Sequence, residues 1–96
     1  MVKRPPKPTF LHVWKTSIKP LIEELEVDSK VLSICNTFMC KLWDLKTKYG
    51  GQVTRELVEN VRKEIEHILS RHSDVDREKL REALVRVAKA FGIEIS

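Results

Sequence analysis

The chain has 96 residues, a formal net charge of +4 and 42% hydrophobic residues. This length allows one domain, and the composition is that of a folded globular protein rather than a disordered tail. The longest apolar-rich stretch, residues 31–45, is interrupted by polar and charged side chains, so we expect no membrane-spanning segment and no signal peptide. Cys35 and Cys40 are expected to be reduced, buried thiols, which is typical of a cytoplasmic protein.

The first eight residues differ in composition from the rest of the chain. Three of the four prolines, Pro5, Pro6 and Pro8, fall within them, together with three basic side chains. Proline lacks the amide donor and biases the preceding residue toward extended geometry. The sequence therefore predicts an extended basic arm over residues 1–8, followed by a single helical bundle domain over residues 9–96.

The first helix is predicted to begin at Thr9, which has the side chain of a good N-cap. Phe10, Trp14 and Ile18 follow at four-residue spacing, which places them on one helical face. Pro20 interrupts the pattern, since a proline inside a helix removes one hydrogen bond. Two alternatives stay open here: one kinked helix or two short helices.

The next helix is predicted from an N-cap at Asp28 or Ser29 to about Tyr49, where two glycines follow. Its apolar stripe, over residues 31–45, is wider than one face of a helix requires. The width indicates a central helix that contacts several neighbours.

Two further helices have clear start and stop signals. One begins after Thr54 and ends near Arg71, and the other is capped by Asp76 and ends at Gly92. No hairpin turn or strand pattern occurs between them. The predicted fold class is all-α, a compact bundle of four to five helices with an extended basic N-terminal arm.

The net charge is distributed unevenly along the chain. Residues 1–19 contain five cations and no acid, whereas residues 20–96 contain 13 cations and 14 acids. The five cations are Lys3, Arg4, Lys7, Lys15 and Lys19. A basic leading segment on a neutral body is the most informative functional feature of this sequence.

Metal and catalytic patterns are weak. Cys35 with Cys40, and His67 with His72, have the composition of a zinc set, but residues five apart diverge on a helix. Glu64 and His67 have the spacing of a di-iron motif, which needs a second copy. We therefore expect no metal, no cofactor and no catalytic residues, so the protein is not predicted to be an enzyme.

A helix-turn-helix is possible over residues 41–68, with the helix after Thr54 as the reading helix. The side chains that it would offer to a groove are Gln52, Arg55, Asn60, Arg62 and Lys63. Four glutamates on the same helix oppose this interpretation, because they repel phosphates.

The first functional hypothesis is a small nucleic-acid-binding accessory protein that contacts backbone phosphates through its leading cations. Arg55, Arg62 and Lys63 form a second candidate set. The alternative is a non-catalytic protein-interaction or assembly module, as a homodimer or a subunit of a larger complex. The wide stripe over residues 31–45 motivates that alternative.

Overall fold

The computed structural model describes residues 7–95, with side chains from Phe10 onward, and all regular structure in that range is helical. The helical elements are α1 Lys7–Val13, a π-helical turn Trp14–Ile18, α2 Lys19–Glu23, α3 Ser29–Lys48, α4 Arg55–Arg71 and α5 Arg77–Ala90. The first three follow one another without a break and are called here the N-terminal helical segment. The predicted all-α class is confirmed.

The start of α1 differs from the prediction. The backbone is already helical at Lys7, the first residue that the structure describes, so Thr9 lies inside α1 and is not its N-cap. Pro8 is helical as well. A proline is tolerated in the first turn of a helix, so its presence does not by itself specify an extended chain.

The interruption at Pro20 is resolved by the π-helical turn. The N–H of Lys19 donates to the carbonyl of Trp14, five residues back, before α2 begins with Pro20 near its start. The Thr16 hydroxyl donates to the carbonyl of His12 at 2.7 Å. A wider turn accommodates the residue without an N–H, and the chain stays helical through the proline.

The predicted helix ends are confirmed by their hydrogen bonds. Asp28 and Thr54 each accept the N–H three residues further on, both at 3.1 Å. Asp76 accepts two N–H groups, at 3.0 and 3.2 Å. At the other ends, Gly50 and Gly92 adopt φ angles of 66° and 81° and close α3 and α5 with paired backbone bonds.

Helices α3 and α5 lie side by side and run in the same direction. Lys30, at the beginning of α3, forms an ion pair with Asp74, just before α5. At the opposite end, the Lys46 ammonium donates to the carbonyl of Phe91, just after α5, at 2.9 Å. This central pair organises the bundle.

The N-terminal helical segment and α4 both run against the direction of the central pair. Arg86 of α5 donates to the carbonyl of Leu21 at 2.9 Å, while Lys41 of α3 forms an ion pair with Glu64 of α4 at 3.8 Å. Each of the two outer elements packs on both central helices, but they make no more than marginal contact with each other. The N-terminal helical segment and α4 therefore occupy opposite flanks of the bundle.

Part of the wide apolar stripe of α3 is buried inside the single chain, while Leu32, Ile34, Trp43 and Leu45 keep partial exposure. The buried residues of α3 are Val31, Cys35, Phe38, Met39 and Leu42. They belong to one core that all helices after α1 share. The prediction of a central helix with several neighbours is confirmed.

Candidate nucleic-acid interface

The leading cations fall into two groups with respect to the structure. Lys3 and Arg4 lie outside the described residues, as do residues 1–6 of the arm predicted over residues 1–8. Lys7 is the first residue of α1, so the backbone is already helical at the last two positions assigned to the arm. Lys15 and Lys19 belong to the π-helical turn and to α2.

Lys15 and Lys19, the leading cations whose side chains are described, contact solvent and form no ion pair with α3, α4 or α5. Lys15 is exposed and forms no ion pair within residues 10–95. Lys19 lies 4.0 Å from Glu23 of its own segment, and the two side chains are 41% and 55% exposed. A pair this long and this exposed is weak and screened by salt, so it leaves Lys19 available to another anion.

An aromatic cluster fixes the start of the N-terminal helical segment against the central pair. The rings of Phe10 and Trp43 are 5.4 Å apart, and those of Trp43 and Phe91 are 6.1 Å apart in an edge-on arrangement. Such contacts each stabilise by about 0.5–1.5 kcal/mol. The cluster places the beginning of α1 beside the C-terminal ends of α3 and α5.

This end of the bundle carries cations that the sequence analysis did not select. Lys48 and Lys89 are exposed in the last turns of α3 and α5 and form no ion pair among the described residues. Lys46 is occupied by the Phe91 carbonyl. The signal for these lysines was present, since cations favour helix C-termini, but nothing in the sequence showed that the two ends lie beside α1.

The second candidate set lies on the opposite flank. Arg55, Arg62 and Lys63 are exposed on α4, which has at most marginal contact with the N-terminal helical segment. Arg62 also pairs with Glu59 at 3.8 Å. The structure does not bring the two candidate sets together, so a single flat surface cannot contact both.

The contacts between α3 and α4 do not support the helix-turn-helix interpretation. Helices α3 and α4 contact each other at two points along their length. Near their connection, Asn60 donates to the Tyr49 hydroxyl at 3.0 Å, and further along Lys41 forms an ion pair with Glu64. This is an antiparallel αα-hairpin, whereas the two helices of a helix-turn-helix cross at about 90–120°. Asn60, one of the proposed reading residues, is half-buried and already bonded.

The prediction that both thiols are buried is confirmed for Cys35 and wrong for Cys40. Cys35 is fully buried, and burial raises its thiol pKa from 9.0 to about 12. Cys40 is exposed, and no disulfide joins the two. The thiolate is the reactive form of cysteine, and a nucleophilic cysteine has a lowered pKa. The raised pKa of Cys35 therefore makes it a poor nucleophile.

No group of three or more His, Cys, Asp or Glu side chains within the described part of the chain could hold a metal ion. None of the helices described is long and apolar enough to cross a bilayer.

Comparisons with protein-family models, with curated proteins and with solved structures find no match for this chain.

Proposed function

We propose that this protein is a small nucleic-acid-binding accessory protein that contacts backbone phosphates through its leading cations: Lys3, Arg4, Lys7, Lys15 and Lys19. One observation carries the proposal. Residues 1–19 contain five cations and no acid, while the remaining 77 residues carry 13 cations and 14 acids. Lys15 is exposed and Lys19 is half-exposed, and neither forms an ion pair with α3, α4 or α5.

The N-terminal helical segment holds two of these cations close together. Lys15 and Lys19 are four residues apart, so they are neighbours on the surface of the segment. At 1.5 Å per residue the segment from 7 to 19 spans about 18 Å, a length over which duplex DNA carries roughly ten phosphate charges. The length of the chain alone keeps Lys3 and Arg4 within about 14 Å of Lys7.

Binding of this kind reads charge rather than sequence. Phosphate contacts position a protein on a duplex but carry no base information. The helix that was a candidate for base readout, α4, has Asn60 bonded to Tyr49 and Arg62 paired with Glu59. We therefore propose little sequence preference and a strong dependence of affinity on salt concentration.

Two variants with equal charge change test the proposal. The first replaces Lys3, Arg4 and Lys7 with Gln, and the second replaces Arg55, Arg62 and Lys63 with Gln. Both keep good helix formers and remove three positive charges. Binding to a random-sequence duplex is measured by fluorescence anisotropy over a series of salt concentrations.

The first variant is expected to bind at least about tenfold more weakly at about 50 mM salt, with a salt dependence shallower by about 2–3 in log–log slope. The second variant should lose no more than about threefold, through the reduced net charge alone. A larger loss in the α4 variant, or equal losses in both, would contradict the proposal.

The assembly alternative has less support. Its motivation was the wide stripe of α3, about half of whose side chains are buried within the single chain, while Leu32, Ile34, Trp43 and Leu45 are only partly buried. The exposed large apolar side chains among the described residues are scattered rather than contiguous in sequence: Leu11, Leu21 and Val53. Single apolar side chains on a surface are normal.

A further inference from the structure

A second surface, distinct from the leading cations, lies on the flank formed by α3 and α4. Two adjoining cavities of about 400 and 520 Å³ open between these helices and share Lys41, Glu64 and His67 in their walls. Together they form one continuous depression, called here the α3–α4 groove. Along α3 it extends from Ser33 to Leu45, which is about 18 Å at 1.5 Å per residue.

Apolar side chains, called here the floor, line part of the α3–α4 groove, beside the polar Ser33, Thr37 and Asn60. Ile34, Phe38 and Leu45 contribute to it from α3, and Ile68 contributes from α4. Ile34 and Leu45 are only partly buried, so their remaining surface faces solvent. The α3 positions differ by four and seven residues, the spacing at which apolar side chains form a stripe that a second helix can cover.

The rim of the groove is basic. Lys41, Lys63 and Arg71 line it, together with the imidazoles of His67 and His72. Glu64 is the one carboxylate among its lining residues, and it is paired with Lys41 at 3.8 Å. Lys63 and Arg71 form no ion pair within residues 10–95. An apolar floor between unpaired cations calls for a ligand that is apolar on one side and acidic at its edges.

We propose that the α3–α4 groove binds an acidic amphipathic helix of a partner protein. The length of the groove accommodates about three turns of helix. A nucleic acid backbone has no apolar stripe for the floor. A second copy of this chain is not complementary either, because residues 51–96, which form α4 and α5, carry nine cations and nine acids. The groove lies on the flank opposite the N-terminal helical segment, so both surfaces can be occupied together.

A displayed peptide library tests this proposal. The library holds 14-residue helical peptides with Leu fixed at an i, i+4, i+7 spacing, and with the other positions varied among Glu, Lys, Ala and Gln. Binders are selected on the full-length protein. We expect the selected peptides to be net acidic and to cause amide shift changes at Ile34, Thr37 and His67 in NMR spectra.

Two double variants locate the binding. Lys63→Glu with Arg71→Glu is expected to weaken the selected peptides at least about tenfold, because both rim cations are reversed. Lys15→Glu with Lys19→Glu makes the same charge change on the other flank and should leave peptide binding unchanged. All four side chains are exposed or half-exposed, and circular dichroism checks that both variants fold.

The same variants separate this proposal from the nucleic-acid proposal. The groove variant should keep duplex binding within about threefold, while the Lys15 and Lys19 variant should lose it. Selection of no binders, of peptides without acid excess, or of peptides that bind the groove variant as well as the original chain would overturn the groove proposal. None of these outcomes bears on duplex binding.

Discussion

Replacement of Leu42 with alanine is expected to lower the free energy of unfolding by about 2–5 kcal/mol, the range for buried leucines truncated to alanine. Leu42 has no solvent exposure and lies in α3, the helix that packs against the N-terminal helical segment, α4 and α5. The loss combines the transfer of the missing carbon atoms with the cavity that remains. Urea denaturation followed by circular dichroism measures it.

Leu11→Ala is the matched control, because it removes the same atoms from a helical leucine that is 48% exposed. Its cost is expected to stay below about 1 kcal/mol, since little apolar surface is uncovered and no closed cavity forms. Equal losses at Leu11 and Leu42 would show that α3 is not the centre of the core.

The two thiols are expected to differ in alkylation rate by a factor on the order of a thousand. Cys40 is exposed, whereas buried Cys35 reacts only after local unfolding. Mass spectrometry of the protein treated with iodoacetamide should show one fast addition at Cys40 and one slow addition at Cys35. Urea should remove the difference. Fast modification of Cys35 in the folded protein would contradict its burial.

Burial of Cys35 also makes stability depend on alkaline pH. Its pKa is raised by burial to about 12 in the fold, whereas the unfolded chain keeps the ordinary value of 9.0. Between these values the unfolded chain loses the thiol proton and the folded chain retains it. The contribution of the neutral thiol is therefore complete below pH 9 and declines by up to about 1.4 kcal/mol per pH unit above it.

Comparison with Cys35→Ala isolates this effect, because the other titrating groups are common to both chains. The stability of the original chain relative to the variant should fall as the pH rises from 9 to 11. A constant difference over that range would show that Cys35 is solvated.

The local features of the fold were predictable because they depend on a few neighbouring residues. Asp28, Thr54 and Asp76 accept the N–H groups that the capping rule assigns to them. Gly50 and Gly92 adopt the left-handed conformation that ends a helix. Each of these assignments needs only a short window of sequence.

The remaining features depend on how distant segments meet. The chain stays helical through Pro20 by means of the π-helical turn, which no sequence period indicates. The opposite flanks of Lys15 and Arg55 follow from the packing of both outer elements on the α3–α5 pair. Cys40 is exposed because it lies on the outer face of α3, although the surrounding apolar segment predicts a buried thiol.

The most direct measurement of the central claim is an NMR titration of the isotopically labelled full chain with a random-sequence duplex at about 50 mM salt, where phosphate binding is strong. The proposed function predicts amide shift changes concentrated in residues 7–19 and at the neighbouring ends of α3 and α5, with α4 unaffected. Changes concentrated on α4, or no saturable change at all, would contradict it.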